Sequence, residues 1–329
     1  MRASVIAVVA LALSTAFAVS SQAQSGSLEV FGSKTITHIG VVVPDVEKAA
    51  KAFTDIFGVP VSPAKDVKPT GFPPDYAGDR SAYTRVIEVQ FDNMVVELSQ
   101  PMGGPSPWRS FLETDGQAIH HVAFNVPDVE AHVRFLESMG GKRIVGQPGG
   151  DAALVDLTSE IGISFALNEG QDVPSYVVNR RPDERASGGL TVVARLGLLG
   201  LDTDSRRTFF NTVFGNSVPE PVDERGLSFP EGFTGDPESG MRHIFVPFDN
   251  LWINVIQPLG GESPWRNMVA NNQHYLFFAV EDGGAVAEML EEHGGTRTLG
   301  TAGGGVAYMD MQDQLGFTIF LLPTGVLPE

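Results

Sequence analysis

The segment Gln100–Arg109 reads QPMGGPSPWR, and the segment Gln257–Arg266 reads QPLGGESPWR. The two copies are 157 residues apart, and a second motif, Phe91-Asp92-Asn93, recurs at the same spacing as Phe248-Asp249-Asn250. Matches of this length in one register indicate an internal repeat, and repeats decide an architecture before any local pattern does. We therefore expect the chain to contain two copies of one module.

Each copy divides again into two units with the element order βαβββ. In the first copy, alternation predicts a strand over Thr35–Val43, and Asp45 then offers an N-cap to an amphipathic helix that ends at Gly58. After two more strand-like segments the pattern restarts, with a second helix beginning at Asp128. The predicted strands that complete the first copy are Tyr83–Phe91, Met94–Gln100, Ile119–Val126, Ala152–Leu157 and Gly162–Asn168. The sequence thus predicts an α+β fold of four βαβββ units in two eight-stranded modules.

The N-terminal segment and the middle of the chain differ in composition from the two modules. Arg2, the apolar run Val5–Val19 and the small-x-small triplet Ser21-Gln22-Ala23 predict a cleaved signal peptide over residues 1–23. The polar, proline-containing residues 171–189 predict a linker between a first module at residues 34–170 and a second at residues 190–323. We expect a periplasmic or secreted protein without a membrane segment after cleavage; an uncleaved N-terminal anchor is the alternative.

Charge and cysteine content exclude several classes of function. The formal net charge is −18, which argues against binding to nucleic acid or to anionic membrane surfaces. The chain has no cysteine, so disulfides, zinc–thiolate sites and thiol catalysis are excluded. The expected partner is a small-molecule substrate, and a homodimer is left open.

Three strands of the first module follow one plan. His38, Glu97 and His121 each share a strand face with mostly small or polar neighbours, while bulky apolar residues occupy the opposite face. A single histidine on a strand is more often a hydrogen-bonded core residue, but the repeated plan favours a metal site. Two imidazoles and one carboxylate suit Zn, Fe(II), Mn, Co or Ni, among which the sequence does not distinguish.

Three stretches resemble the vicinal oxygen chelate superfamily, which includes glyoxalase I, methylmalonyl-CoA epimerase, extradiol dioxygenases and bleomycin-resistance proteins. They are His38–Glu47, Val96–Pro101 and His120–Val126, and their sequences are most similar to the epimerase branch. The resemblance covers residues 34–323 and implies that each eight-stranded module is an open cup. It also implies ligands on the first, fourth, fifth and eighth strands. His38, Glu97 and His121 match the first three places, which implies that His120 faces away from the cup.

The chain departs from this family pattern in two places. The eighth-strand position, usually Glu in the family, holds Ala166, which leaves a three-ligand site with room for a bidentate substrate or water. The corresponding residues of the second module are Arg195, Asn254, Tyr275 and Phe320, which do not form a metal site. We interpret the second module as structural or as a wall for the first site; the alternative is a metal-free binding cup in which Arg195 holds an anion.

The resemblance implies an enzyme that uses a divalent ion as a Lewis acid. We expect a metal-dependent lyase or isomerase that acts on a small carbonyl or vicinal-oxygen compound through enolate stabilisation. The alternatives are an Fe(II) extradiol-type dioxygenase and a non-catalytic small-molecule binding protein. Asn125, Ser164 and Asn168 are candidate substrate-binding residues. The candidates for a general base are Glu88, Asp79 and Tyr83, whereas Arg85, Trp108 and Arg109 recur in the second module and are interpreted as fold determinants.

Overall fold

The computed structural model describes residues 31, 34–170, 189–215, 217–225 and 229–324. The predicted signal peptide and all but the last residue of the predicted linker lie outside the described residues, so both stay predictions. In the first module the strands are β1 (Ile36–Val42), β2 (Lys65–Val67), β3 (Tyr83–Gln90), β4 (Val95–Met102), β5 (Ala118–Asn125), β6 (Lys142–Val145), β7 (Ala152–Asp156) and β8 (Ser164–Asn168). Its helices are α1 (Val46–Phe57), α2 (Pro107–Asp115), α3 (Val129–Ser138) and α4 (Thr158–Ile161).

The second module repeats this order after a short 3₁₀ turn at Gly189–Thr191. Its strands are β9 (Arg195–Leu199), β10 (Val222–Glu224), β11 (Gly240–Pro247), β12 (Trp252–Leu259), β13 (Tyr275–Val280), β14 (Thr296–Leu299), β15 (Ala307–Asp310) and β16 (Thr318–Pro323). Its helices are α5 (Thr203–Phe214), α6 (Pro264–Ala270), α7 (Gly283–Glu292) and α8 (Gln312–Leu315). None of the described helices is long and apolar enough to cross a bilayer.

Both modules form mixed eight-stranded sheets with the same topology. The strand orders are β2-β3-β4-β1-β5-β8-β7-β6 and β10-β11-β12-β9-β13-β16-β15-β14. In each sheet two four-stranded blocks, each with one parallel pair, meet at a central antiparallel pair, β1 with β5 and β9 with β13. The predicted α+β fold, with two curled half-barrels of paired βαβββ units, is confirmed. The two long helices of the first module start where expected, because the carboxylates of Asp45 and Asp128 accept hydrogen bonds from the first turns of α1 and α3.

The outer, apolar faces of the two sheets belong to one core. Ile39, Val96 and Val122 of the first sheet are fully buried in the same cluster as the matching residues of the second sheet. Aromatic side chains cross between the modules: the rings of Phe57 in α1 and Phe278 in β13 stack with centroids 5.3 Å apart. Burial of apolar surface is the main driving force of folding, so a shared core makes the two modules unfold together.

The repeated Phe-Asp-Asn motif lies at the junction between the modules. Asn93 and Asn250 are both fully buried, and each donates from its amide nitrogen to the backbone oxygen of the other. Asn250 also bonds both the backbone N–H and the carbonyl of Ile36, while Asn93 does the same for Val193. The duplicated motif therefore joins the start of β1 to the β11–β12 turn, and the segment before β9 to the β3–β4 turn.

A buried histidine at the same junction makes stability depend on pH. His274 donates from Nε2 to the carbonyl of Gly162 in the other module, at 2.9 Å, and burial lowers the pKa of His274 from 6.5 to about 4. Between these two values the unfolded chain binds more protons than the folded protein, so stability falls as pH falls. We expect a loss of about 2 kcal/mol from this group between pH 7 and pH 5.

Urea unfolding at pH 7 and pH 5 measures this effect. His274→Asn should reduce the difference between the two pH values by about 2 kcal/mol, whereas the exposed His293→Asn should leave the difference unchanged. An identical pH dependence in wild type and His274→Asn would contradict this assignment.

Candidate metal centre in the first module

Three adjacent strands in the middle of the first sheet bring the predicted ligands together. His38 lies on β1, Glu97 on β4 and His121 on β5, all on the concave face of the sheet, which we call the cup face. The Nε2 atoms of His38 and His121 are 3.1 Å apart, and Nε2 of His38 is 4.0 Å from Oε2 of Glu97. One ligand atom from each of the three residues lies within 4.8 Å of the others. Among the described residues, this is the single group of metal-ligating side chains that could hold an ion.

The donor spacing suits one divalent cation. Metal–nitrogen and metal–oxygen bonds of about 2.1 Å place adjacent donor atoms roughly 3.0–3.4 Å apart. The two histidine nitrogens, 3.1 Å apart, match this spacing, and the carboxylate oxygen of Glu97, 4.0 Å from His38, would move slightly inward to bind the same ion. Burial, and then the neighbouring His38 and His120, hold the pKa of His121 well below 6.5, which keeps its imidazole neutral. A neutral imidazole is the form that binds metals. The cluster could therefore hold a metal ion, whose identity these residues do not fix.

Carboxylate pairing on the cup face also favours a cation. Glu88 on β3 lies directly opposite Glu97 in the antiparallel register, on the same face of the sheet. Like charges in this position destabilise a sheet unless a cation compensates for them. Lys65 neutralises Glu88 through an ion pair of 2.5 Å, whereas Glu97 accepts a hydrogen bond from the hydroxyl of Ser99 at 2.9 Å. The charge of Glu97 thus remains available for an ion at the histidines.

Gly40 makes room for the ligand on the neighbouring strand. It is the cup-face residue between His38 and Val42, and it pairs with both Glu97 and His121. A Cβ atom at Gly40 would lie 1.9 Å from Cε1 of His121, well inside van der Waals contact. Any larger residue would displace the His121 ring from the cluster, so the glycine is required by the close approach of a side chain.

The prediction that His120 faces away from the cup is wrong. The β1–β5 register shifts by one residue between Gly40 and Val41, and this β-bulge adds His120 to β5. Ile119 and Val122 both pack into the outer core, so His120 and His121 lie together on the cup face. Their Nδ1 atoms are 3.2 Å apart.

His120 is placed to orient the ligand next to it. A proton on Nδ1 of His121 can be donated to Nδ1 of His120, which leaves Nε2 of His121 as the metal ligand. Burial lowers the pKa of His120 from 6.5 to about 4, so its ring is a neutral acceptor. The ring of Phe111 in α2 holds His120 in an edge contact with centroids 4.6 Å apart.

Removing this acceptor should weaken metal binding without removing a ligand. We expect His120→Ala to reduce the affinity for a divalent ion by about 10- to 100-fold, the usual effect of losing such a partner. Isothermal titration of the metal-free protein with Zn²⁺ or Mn²⁺ measures the change. His132→Ala, at a buried histidine on α3, is the matched control and should bind metal as wild type does; equal affinities for His120→Ala and wild type would refute the orienting role.

A cavity of about 680 Å³ adjoins the cluster instead of surrounding it. Residues 73–78, helix α2 and strands β6 and β7 form its walls, and Asn272 of the second module reaches its rim. His120 and Ser164 line the cavity, but His38, Glu97 and His121 do not. The donor atoms of the candidate metal centre thus converge beside the cavity and not within it.

The predicted substrate-binding residues fall into two groups. Ser164 is buried, pairs with His121 in the β5–β8 register and faces the cavity. Asn125 and Asn168 also lie on the cup face and pair with each other, but they are four residues further along their strands and do not line this cavity. Their roles stay predictions.

The structure separates the three candidates for a general base. Asp79 accepts hydrogen bonds from Ser81 and from the backbone N–H of Gly104, which lower the pKa of its carboxyl. Asp236 binds Gly261 in the same way in the second module, so this interaction belongs to the scaffold. Tyr83 lies on the β3 face that packs outward. Of the three, only Glu88 lies on the cup face beside the cluster.

Residues shared with the second module have structural roles, as expected. Arg109 donates to the carbonyl of Pro101, and Arg85 forms ion pairs with Glu47 and Asp66 on the outer side of the sheet. Trp108 packs with the apolar residues at the base of the first cup, and Trp265 does so in the second.

The two cups differ in what fills them. Ala166 lies opposite Ala123 in the register and leaves the first cup open beside His38. In the second cup Phe320 occupies the matching position and stacks on Tyr308, with centroids 4.1 Å apart. Tyr275 replaces His121 and donates a hydrogen bond to Asn254, which replaces Glu97. Aromatic side chains of β13, β15 and β16 therefore occupy this side of the second cup.

Comparisons with known proteins agree with this geometry. Residues 37–156 match the family model described as the glyoxalase/bleomycin resistance protein/dioxygenase superfamily. The ethylmalonyl-CoA/methylmalonyl-CoA epimerase of Cereibacter sphaeroides is 30% identical over 112 residues, which are 34% of this chain and 74% of that protein. The chain belongs to the vicinal oxygen chelate superfamily.

Other known proteins match more partially. The mitochondrial methylmalonyl-CoA epimerase of Mus musculus is 32% identical over 103 residues, 31% of this chain. The chain spans 51% of the length of that protein. A mutant 4-hydroxymandelate synthase from Streptomyces coelicolor is similar in structure, with a TM-score of 0.48, 17% identity and coverage of 80% of this chain and 77% of that one. Members of the superfamily thus include epimerases that act on small molecules.

Proposed function

We propose that the first module is a divalent-metal-dependent isomerase or lyase that acts on a small compound with a carbonyl or vicinal oxygen atoms. The observation that carries this proposal is the convergence of His38, Glu97 and His121, whose donor atoms lie within 4.8 Å of one another on the cup face. These three side chains would hold the ion. When bound, a divalent ion supplies Lewis-acid polarisation of a substrate oxygen.

The chain's own groups supply the rest of the proposed reaction. Glu88 is the carboxylate that would take a proton from the carbon alpha to the substrate carbonyl, because it lies on the cup face directly beside Glu97. Lys65 forms an ion pair with Glu88 and holds its side chain in place. Ser164 and His120 would contact the substrate in the adjoining cavity.

Two observations favour an isomerase or lyase over an oxidative enzyme. The curated relatives that match this chain at about 30% identity are named as epimerases. Ala166 on β8 places no carboxylate at the position where the family resemblance expects the glutamate of extradiol dioxygenases. Because the matches cover only part of the chain and part of most relatives, the CoA thioester substrates are not carried over to this protein.

Deuterium exchange tests the proposal and does not require that the substrate be identified. The metal-loaded protein is incubated in D₂O with a panel of small 1,3-dicarbonyl compounds and 2-oxo acids, and proton NMR follows exchange at the carbon next to the carbonyl. We expect exchange that requires metal and that falls by about 10²- to 10⁴-fold in Glu88→Gln, the usual contribution of a positioned base. Glu113→Gln, at an exposed position on α2, is the matched control.

Two other results would overturn this assignment. Oxygen uptake with catechols would identify a ring-cleaving dioxygenase. Binding of panel compounds that survives metal removal, with no exchange, would identify a non-catalytic binding protein.

We also propose that the protein is exported to the periplasm or secreted, on the strength of the signal-peptide pattern in residues 1–23. N-terminal sequencing of the protein recovered from a cell fraction outside the cytoplasm should begin after Ala23. Recovery from the cytoplasm with an intact N-terminus would contradict export.

A further inference from the structure

The second cup contains a buried cation where the first cup has a metal ligand. Arg195 is the first residue of β9 and occupies the position that His38 has in β1. Arg195 pairs with Trp252, just as His38 pairs with Val95. Arg195 is only 7% exposed. Its guanidinium therefore lies inside the cup, at the position that matches the metal centre.

The guanidinium of Arg195 has aromatic neighbours but no counter-charge. Its Cζ atom lies over the rings of Phe245 and Phe277, 4.6 Å from each centroid. Within the described part of the chain, no carboxylate oxygen lies within 4.0 Å of its nitrogen atoms and none of its N–H groups has a hydrogen-bond acceptor. The guanidinium nitrogens keep a small solvent-accessible area, so an incoming molecule can reach them.

The replacements in the second cup reverse the charge of the site. At the positions of the two cup-face carboxylates, Glu88 and Glu97, the second module has Phe245 and Asn254. Glu224 on β10 is a carboxylate at the border of the second cup, and its Oε2 lies 3.9 Å from Nε2 of His243. Burial raises the pKa of the Glu224 carboxyl. The first cup thus presents negative charge to a cation, and the second presents an unpaired cation.

The surroundings of Arg195 restrict what can pair with it. Phe245 on β11 and Phe277 on β13 lie on strands to either side of β9, and both rings contact the guanidinium. The N–H groups of a guanidinium form a planar fork that matches the two oxygens of a carboxylate. The rings of Phe245 and Trp252, both half-buried and 6.2 Å apart in an edge contact, add an apolar wall beside Arg195.

From this arrangement we propose that the second cup is a binding site for a small organic carboxylate, preferably with an aromatic body. The carboxylate accepts hydrogen bonds from the edge of Arg195, and the body of the ligand packs against Phe245 and Trp252. The site needs no metal and is independent of the reaction proposed for the first module.

Benzoate titrated into the full-length protein after EDTA treatment tests this site, with isothermal calorimetry and the fluorescence of Trp252 as readouts. We expect saturable binding of one benzoate per chain. Benzamide, which has the same shape without the charge, should bind at least tenfold more weakly. Arg195→Met should weaken benzoate binding at least tenfold, while His38→Ala and the exposed control Arg242→Met should bind as wild type does.

Arg195→Lys covers the case in which the methionine variant does not fold. It keeps the charge but loses the planar fork, so benzoate should bind three- to tenfold more weakly than to wild type. Absence of saturable binding, equal affinities for benzoate and benzamide, or wild-type affinity in a folded Arg195 variant would overturn the proposal.

Discussion

His121→Ala is expected to reduce the affinity of the protein for divalent metal by about 100-fold or more, a larger loss than that of an orienting partner. The ring supplies Nε2 at 3.1 Å from Nε2 of His38, and no other described side chain is placed to replace it. His38→Ala and Glu97→Ala should have effects of similar size, because a three-ligand site loses a third of its protein donors in each case. Calorimetric titration of metal-free protein measures all three.

Matched variants separate ligand loss from general damage. His293→Ala and Glu137→Ala change exposed residues of the same types and should bind metal as wild type does. Ala166→Glu would place a carboxylate on β8 beside His38, and we expect it to tighten binding by about tenfold through added ligand charge. Wild-type affinity in His38→Ala, Glu97→Ala and His121→Ala alike would place the metal elsewhere.

Asn250→Ala is expected to lower the free energy of unfolding by about 3 kcal/mol, the largest stability effect that we foresee for a single substitution. The substitution leaves the buried N–H and carbonyl of Ile36 and the carbonyl of Asn93 without their partner. Each such group costs about 1–3 kcal/mol when it stays buried and unsatisfied. Asn93→Ala should be similarly costly, because Val193 and Asn250 depend on it in the same way.

Urea unfolding followed by circular dichroism measures this loss. Because the modules share one core, the destabilised protein should still unfold in a single transition. Asn271→Ala, at an exposed position after α6, should change stability by less than about 0.5 kcal/mol. Stability equal to wild type would show that Asn250 does not hold the modules together, and two separate transitions would contradict the shared core.

Strand alternation was sufficient to predict that His38, Glu97 and His121 form one group that could hold a metal ion. His38, Glu97 and His121 each lie on strands with bulky apolar residues on one face and small ones on the other, and the sheet order places these strands side by side. The long strands were also located to within about two residues, because their alternation and flanking turns are strong. β2 is short and fully exposed, and β6 has four residues and buries a charged one, Arg143, so neither shows an apolar alternation and neither could be located from sequence.

His120 shows where alternation fails. A bulge inserts one residue, so every side chain before it changes face relative to a regular strand. The sequence carried a signal, since Ile119 and Val122 are both bulky and are separated by three positions instead of two or four. The role of Asn93 and Asn250 had no such signal, because their partners belong to the opposite module and become known only once the modules are docked.

Anomalous diffraction from crystals of the metal-loaded protein tests the central claim most directly. We expect one anomalous peak per chain in the first cup, within about 2.3 Å of Nε2 of His38, Nε2 of His121 and a carboxylate oxygen of Glu97. We expect no peak beside Arg195 in the second cup. A metal-loaded crystal with no peak at these three residues, or with its peak at another site, would contradict a metal centre in the first cup.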